Sequence, residues 1–335
     1  MAIAICNSPS DCEESMSKPR AHCRLTALRR HAAGLTVAFV VVMMSCIVPT
    51  RAASASQASF ARPDAAVSAL IAAAEAGSMT DLLKILGPEA KPLVSSGDPV
   101  ADRQALAHFT ALYAEANRIA SQGEGHATLL IGKDEWPFPI PLVSADGAWH
   151  FDTAAGKEEI LNRRIGHNEL SAIEACRTYV DAQRQYASKD RNNNGFLEYA
   201  QKFASSPGKH DGLYWPAAAN EEESPLGPLF ATAQAAGYSG KSADGARAPY
   251  FGYYYRILKA QGDNAPGGAY DYLANGQMIG GFALVAYPAQ YDVSGVMTFI
   301  VNQDGIVYQK DLGPNTAKVV EKITRFDPDT SWTKP

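Results

Sequence analysis

The chain has 335 residues, of which 46 % are hydrophobic, with 30 basic and 35 acidic side chains. That length suffices for a sizeable core and, at roughly 150 residues per domain, for two domains. A formal charge of -5 without a basic tract in the body of the chain argues against nucleic acid or an anionic membrane as the main partner.

The N-terminus has the order of a secretory signal: basic "RLTALRRH", apolar "LTVAFVVVMMSCIV", then Pro49 and the small residues "RAASASQA". The apolar run, Leu35 to Val48, is 14 residues long, short of the roughly 20 that span a bilayer as a helix. Residues 1–55 therefore read as a signal peptide cleaved after Ala53 or Ala55, with Met16 as an alternative start. Its removal leaves 24 basic against 32 acidic residues, a formal -8, and no transmembrane segment in the mature chain. The expected location is the periplasm or the extracellular space; a lipid anchor on Cys46 and twin-arginine export through Arg29 and Arg30 are competing readings. Cys6, Cys12, Cys23 and Cys46 leave with the signal, so Cys176 remains alone and the fold must hold without an internal disulfide.

Residues 60–158 read as a small α+β domain. "PDAAVSALIAAAEAGSMTDLLKILGPEAKPLV" places Val67, Leu70, Ile71 and Ala74, then Leu82, Leu83, Ile85 and Leu86, at helical spacing, with breaks at Gly77 and at Gly87-Pro88. A further helix runs through "DRQALAHFTALYAEANRI", capped by Asp98 or Asp102. "HATLLIG" and "GAWHFD" then read as strands, and the joining "KDEWPFPIPLVSADG" belongs at an edge or in an extended loop because its prolines cannot all donate to a ladder. Helices followed by short strands ending in Trp149 and Phe151 resemble a cone-shaped NTF2-like domain. Trp136, Phe138, His150 and Asp152 are candidate pocket residues of such a domain, or else aromatics closing a core beside polar groups that face water.

Residues 159–335 read as a long helix, a polar loop and an antiparallel sheet. In "GKEEILNRRIGHNELSAIEACRTYVDAQRQYASKD", Leu170, Ile173, Cys176 and Val180 form one apolar stripe, widened by Ala175, Tyr179, Gln183 and Tyr186. Gly166 is a candidate break, with Asn168 as the cap of the main part. Cys176 lies mid-stripe, where a thiolate has neither a cation nor access, so it reads as a small core residue. His108, His126, His167 and His210 have no zinc spacing, and neither a G-x-S-x-G elbow nor a phosphate-cradling glycine loop occurs.

"KDRNNNGFLEYAQ" follows. Asp190, Asn192 and Asn194 stand at alternate positions and Gly195 permits the sharp turn, as in the first half of an EF-hand loop, but the twelfth position is Gln201, which cannot supply two charged oxygens. A shortened variant remains, in which Glu198, at the start of a second helix, is the other carboxylate and Phe196 offers its carbonyl. Asp190, Asn192, Asn194, Phe196 and Glu198 are thus a candidate ligand set for a weak, structural Ca2+. The alternative is a Gly/Asn turn whose side chains cap two helices. No other cofactor is expected.

"SSPGKHDGLYWPAAANEEESPLGPLF" reads as an irregular surface segment, with Glu221, Glu222 and Glu223 as a solvated turn or helix start. "PYFGYYYRILKAQG", "QMIGGFALVAYP" and "GVMTFIVNQDGIVYQKDL" give about four antiparallel strands, the last two reversing at Asp304-Gly305. Tyr253, Tyr254, Tyr255, Arg256 and Lys259 form either a platform for a sugar or peptide or ordinary sheet faces.

The stretches "WPFPIPLV", "GKEEILNRRIGHNEL", "YVDAQRQYASKDRNNNGFLEYAQ", "PGKHDGLYWP", "FGYYYRILKAQG" and "GGFALVAYPAQYDVSGVMTFIVNQDGIVYQKDLG" resemble a bacterial family of exported proteins, the domain of unknown function 2950, from about Phe60 to the end. The resemblance implies no activity. The helix, loop and strands of the second half are also similar to the soluble part of type II pseudopilins and pilins, without their exposed N-terminal helix. The expected function is an exported envelope or extracellular binding or scaffold protein with an unidentified protein or polymer partner. The alternatives are a secretion or pilus accessory protein, and a hydrolase of envelope polymers, which would need His210 and Asp211, or Glu198 and a second acid, to converge.

Overall fold

The computed structural model describes residues 57–217, 221–235, 238 and 248–335; the signal peptide and Cys46 lie outside them. The first helices are α1 (Pro63–Glu75), α2 (Met79–Leu86), the single turn α3 (Lys91–Val94) and α4 (Pro99–Glu115). Proline at the first helical position starts α1 and α4, where its missing N–H leaves no bond unmade. Ser78 caps α2 and Asp98 caps α4, the latter accepting from the amides of Val100 and Ala101 at 3.1 Å.

The helical spacing through Ile119 overshoots. The backbone turns extended at Ala116, and Asn117–Ser121 is strand β1, because pairing with all of 127–131 satisfies amides that a helix end would leave open. β1 heads a five-stranded antiparallel sheet with β2 (His126–Ile131), β3 (Trp136–Pro137), β4 (Leu142–Ala145) and β5 (Ala148–Phe151), in order β1-β2-β4-β5 with β3 against β2. Pro137 stands on the short β3 and Pro139 and Pro141 fall outside the ladders, as their missing donors require. The end of the joining segment is itself strand β4, turned into β5 by Asp146-Gly147, both with positive φ. Phe109, Phe138 and Phe151 close the core between helices and sheet, with ring centroids 5.3 and 6.1 Å apart.

Helix α5 runs unbroken from Thr153 to Ala187, 35 residues, capped by Asp152. Gly156 lets its first turn lie on the proline segment, since a Cβ there would stand 2.4 Å from the Pro139 carbonyl oxygen. Gly166 does not break the helix, and Asn168 is no cap: its amide donates to the Ser294 carbonyl at 2.9 Å. The expected stripe is buried at every position but its first. Leu170 is 70 % exposed, while Ala172, Ile173, Cys176, Tyr179, Val180, Gln183 and Tyr186 are buried. The early part of α5 is tied to the first helices, Arg164 donating to the Pro92 and Leu93 carbonyls at 2.6 and 2.5 Å.

The later part packs on a four-stranded antiparallel sheet, order β13-β12-β11-β6, formed by β6 (Tyr253–Leu258), β11 (Ala283–Pro288), β12 (Met297–Asn302) and β13 (Tyr308–Asp311). Short pairs β7 (Ala260–Gln261) with β8 (Tyr270–Asp271) and β9 (Leu273–Ala274) with β10 (Gln277–Met278) flank it. Helix α6 (Gly227–Ala235) precedes the sheet and α7 (Thr316–Glu321) follows it. Arg256 reaches the Val320 and Ile323 carbonyls and so ties β6 to α7. Val285, which is paired with Arg256, and Ile300, which is paired with Val285, are 0 % and 1 % exposed, so the sheet is covered on this side as well as by α5. The molecule is thus an α+β protein, with early helices on one antiparallel sheet and a long helix on another. Among the described residues, no helix is long and apolar enough to cross a membrane.

Candidate functional site

The polar loop leaves α5 at Ala187 and is built from its own side chains. The Asp190 carboxylate accepts from the backbone amides of Asn194 at 3.2 Å and Gly195 at 2.8 Å. These bonds, that from Gly195 foremost, hold the exposed carboxyl below its ordinary pKa. Asn193 and Gly195 take φ of 51° and 84°, the left-handed turn that Asn and Gly enter at least cost.

The remaining polar groups converge on Glu198, which is 7 % exposed. Its Oε1 accepts from Asn192 Nδ2 at 2.9 Å and Asn194 Nδ2 at 2.6 Å, and Asn194 Oδ1 takes the Phe196 amide at 3.0 Å. The Tyr186 hydroxyl lies beside this group, 3.5 Å from Asn192 Oδ1, and donates to the His210 carbonyl at 2.7 Å. Burial, and then the neighbouring Glu198 charge, push its phenol up to about 12. Of the five sequence candidates, Asn192, Asn194 and Glu198 meet. Asp190 closes the turn through backbone amides, and the Phe196 side chain is exposed. Among the described residues no group of three or more His, Cys, Asp and Glu is placed to hold a metal ion, so any cation here would draw on amide oxygens beside the carboxylates.

The expected second helix does not form. Residues 196–200 form neither helix nor strand, because their donors are taken elsewhere: the Tyr199 amide bonds the Met278 carbonyl and the Ala200 amide bonds Gln183 Oε1, both at 2.8 Å. Gln183, fully buried in α5, also donates to the Ala200 carbonyl at 2.8 Å, so one side chain pairs with both backbone groups of Ala200. The loop joins a helix to an irregular strap and not to another helix.

Sequence reasoning missed Arg191. Its side chain is 4 % exposed, lies over the rings of Trp215 and Tyr186 at 5.4 and 5.7 Å, and pairs with Glu222 through two nitrogens at 3.1 Å. It also donates to the carbonyls of Tyr186 at 3.1 Å and Gln185 at 3.3 Å, closing the C-terminus of α5 with a positive charge where the helix dipole favours one. Lys189 joins Glu222 at 3.0 Å, so Glu222, solvated as expected, is also ion-paired; Arg191 first and then Lys189 hold its carboxyl down to about 2. A basic residue just past a helix end was the available signal, and the intervening run of asparagines drew attention from it.

His210 and Asp211 are each engaged with other partners. The His210 ring stacks on Trp215 at 4.2 Å. Asp211 accepts from Lys202 at 2.6 Å and from the Ser206 amide and hydroxyl at 2.7 and 3.0 Å; partial burial raises its pKa, but these bonds outweigh it and hold the carboxyl at about 2, too low to deliver a proton at neutral pH. The tyrosines of β6 serve packing: Tyr253 donates to the Met297 carbonyl, Tyr254 meets Tyr287 at 5.6 Å, and Lys259 bonds Gln201. Beside the first sheet, Phe138 is core and Trp136 lies under Arg163 at 5.0 Å. His150 and Asp152 line a cleft of about 280 Å³ that Trp136 and Phe138 do not reach.

These features define an exclusively structural class: an α+β protein whose long helix ends in an asparagine-rich loop fixed by a buried arginine. The chain belongs to the family described as Protein of unknown function (DUF2950), whose model matches residues 57–334 and so contains every stretch of resemblance quoted above. No curated protein and no solved structure matches it.

Proposed function

We propose that this is an exported binding or scaffold protein of the envelope or extracellular space, in which the 190–198 loop takes Ca2+ as a structural ion. The observation that carries the calcium reading is the convergence of two asparagine amides on the buried Glu198 oxygen. A half-turn of each amide exchanges its nitrogen for its oxygen, so the same positions then present Asn192 Oδ1, Asn194 Oδ1 and Glu198 Oε1 to one point. Three oxygens facing each other repel, and a hard cation between them removes that repulsion. One or two carboxylates with neutral oxygens suit the weak end of Ca2+ affinity, in the range of about 10⁻⁴ to 10⁻³ M of extracellular modules.

Export is supported by the succession of basic, apolar and small residues that ends where the family match begins, at residue 57. The binding or scaffold role is supported by the nominated acids and tyrosines being engaged in turns, ion pairs and packing.

Calorimetric titration of the mature protein with Ca2+, together with thermal melts with and without chelator, tests the site. At ten times Kd the ion should add about 1.4 kcal/mol, and Glu198→Gln or Asp190→Ala should abolish the heat. No heat and no change in Tm up to 10 mM Ca2+ would sink the calcium reading. Recovery of the full-length chain from the cytoplasmic fraction alone would sink export.

A further inference from the structure

The two larger sheets end in β1, β5, β6 and β13, and the chain shelters all but the first. Phe60 lies against β5, exchanging bonds of 2.8 and 2.7 Å with Trp149, and Thr333 lies against β13, exchanging bonds of 2.7 and 3.0 Å with Gln309. No residue of β6 is exposed. β1 pairs along its whole length with β2, but Asn117, Arg118 and Ser121 are exposed. Its ladder decides which groups stay open. Gly132 donates to the Ala116 carbonyl at 2.8 Å and Gln122 to the His126 carbonyl at 2.9 Å, so the bonds to β2 fall on even-numbered residues, Arg118 and Ala120 among them. The N–H and C=O groups of Asn117, Ile119 and Ser121 therefore point away from β2, and among the described residues no partner meets them. Regular edges are usually blunted by a Lys, a Pro or a bulge. β1 has none of these, and its one charge is turned inward: Arg118 reaches across β2 to Glu135, just before β3, with Nε and Nη2 at 3.1 and 2.8 Å.

We propose that β1 is a dimerisation edge, at which two copies of this chain pair their β1 strands antiparallel about a two-fold axis through Ile119 and join their sheets into one. The occupant follows from self-complementarity. The open groups stand at equal intervals on either side of Ile119, so in this register Ile119 faces its own copy and Asn117 of each chain faces Ser121 of the other. Every outward pair exchanges both its bonds and no group is left over. Arg118 stands opposite Ala120 and not opposite its own copy, and Glu135 already matches its charge within the chain, so the axis brings no like charges face to face. A contact built on one short strand is small, so the dimer forms reversibly.

Sedimentation equilibrium of the mature protein from about 5 to about 500 µM should show reversible monomer–dimer exchange, with the dimer dominant at the upper end. Ser121→Pro removes an outward donor and spares the ladder to β2, as proline on an edge strand does, and should raise the dissociation constant about tenfold or more. Residue-resolved amide exchange reads the parent without any variant. Ile119 and Ser121 should exchange roughly fivefold more slowly at the highest concentration than at the lowest, while Arg118 and Ala120, already bonded to β2, should exchange alike at both. A monomer throughout the range would overturn the proposal, as would a dimer whose Ile119 and Ser121 amides stay fast, or a folded Ser121→Pro that dimerises as tightly as the parent. Slow exchange of those two amides in a monomer at every concentration would overturn it as well, because the chain itself would then cover the edge.

Discussion

Replacing Arg191 by Ala removes a guanidinium that three groups and two rings surround. It donates to Tyr186 and Gln185 carbonyls, pairs through two nitrogens with Glu222, and covers Trp215 and Tyr186, at 4 % side-chain exposure. Breaking a fully buried ion pair by deleting one partner costs about 3–5 kcal/mol. Glu222 is 44 % exposed, so its freed carboxylate regains water and the low end applies. Loss of the α5 cap and of two cation–ring contacts adds roughly 1 kcal/mol, not independently of the first term. The expected total is about 3 kcal/mol, or a fall of roughly 6–10 °C in Tm for a domain of this size. Arg191→Lys keeps the charge but loses the fork, and should retain about half. Urea melts of Arg191→Ala, Glu222→Gln and the double variant give the coupling, expected near 1 kcal/mol. A loss below about 0.5 kcal/mol for Arg191→Ala would refute the view that this side chain fixes the loop.

Two further outcomes follow from the same geometry. Glu222 and Asp211 are both held at about 2, below their ordinary values of 4.5 and 3.8, so the stability they contribute is present above those ordinary values and is lost as pH falls through about 2; melts of the parent and of Glu222→Gln should differ by a constant amount from pH 7 to 5 and converge from pH 4.5 downward. The two glycines of α5 should respond oppositely to Ala. Gly156→Ala drives a Cβ to 2.4 Å from a backbone oxygen and should cost about 1–3 kcal/mol, whereas Gly166→Ala meets nothing within 4 Å and should stabilise by up to about 1 kcal/mol, both read by urea titration.

What could be read from the sequence was local periodicity and turn chemistry. The two-period alternation of Met297 to Asn302 and the Asp304-Gly305 reversal lead directly to β12 and β13, and Asp98 caps α4 as its type and place suggest. What could not be read was where backbone donors go once the chain is folded. β1 forms from a helix-like tail because β2 offers it a ladder, and the strap after Gly195 does not coil into a helix because Gln183 and Met278 capture its amides from 17 and 79 positions away in sequence. The stripe on α5 was misjudged at Leu170 for a related reason. Spacing gives a face to a few residues' precision, and the partner surface decides which edge of that face is covered. At the site, residue types announced the turn and the meeting of Asn192, Asn194 and Glu198, while Arg191 escaped because its partner Glu222 lies in a segment without periodicity.

The bonding of Gln183 to Ala200 works as a weld between the end of the long helix and the strap that leads on to the second sheet. Between its two ends the chain loops outward, with Arg191 and Glu198 turned back into the protein and Asn193 exposed at the tip. A change at Asn193 should cost local order alone, whereas a change at Gln183 would be felt on both sides.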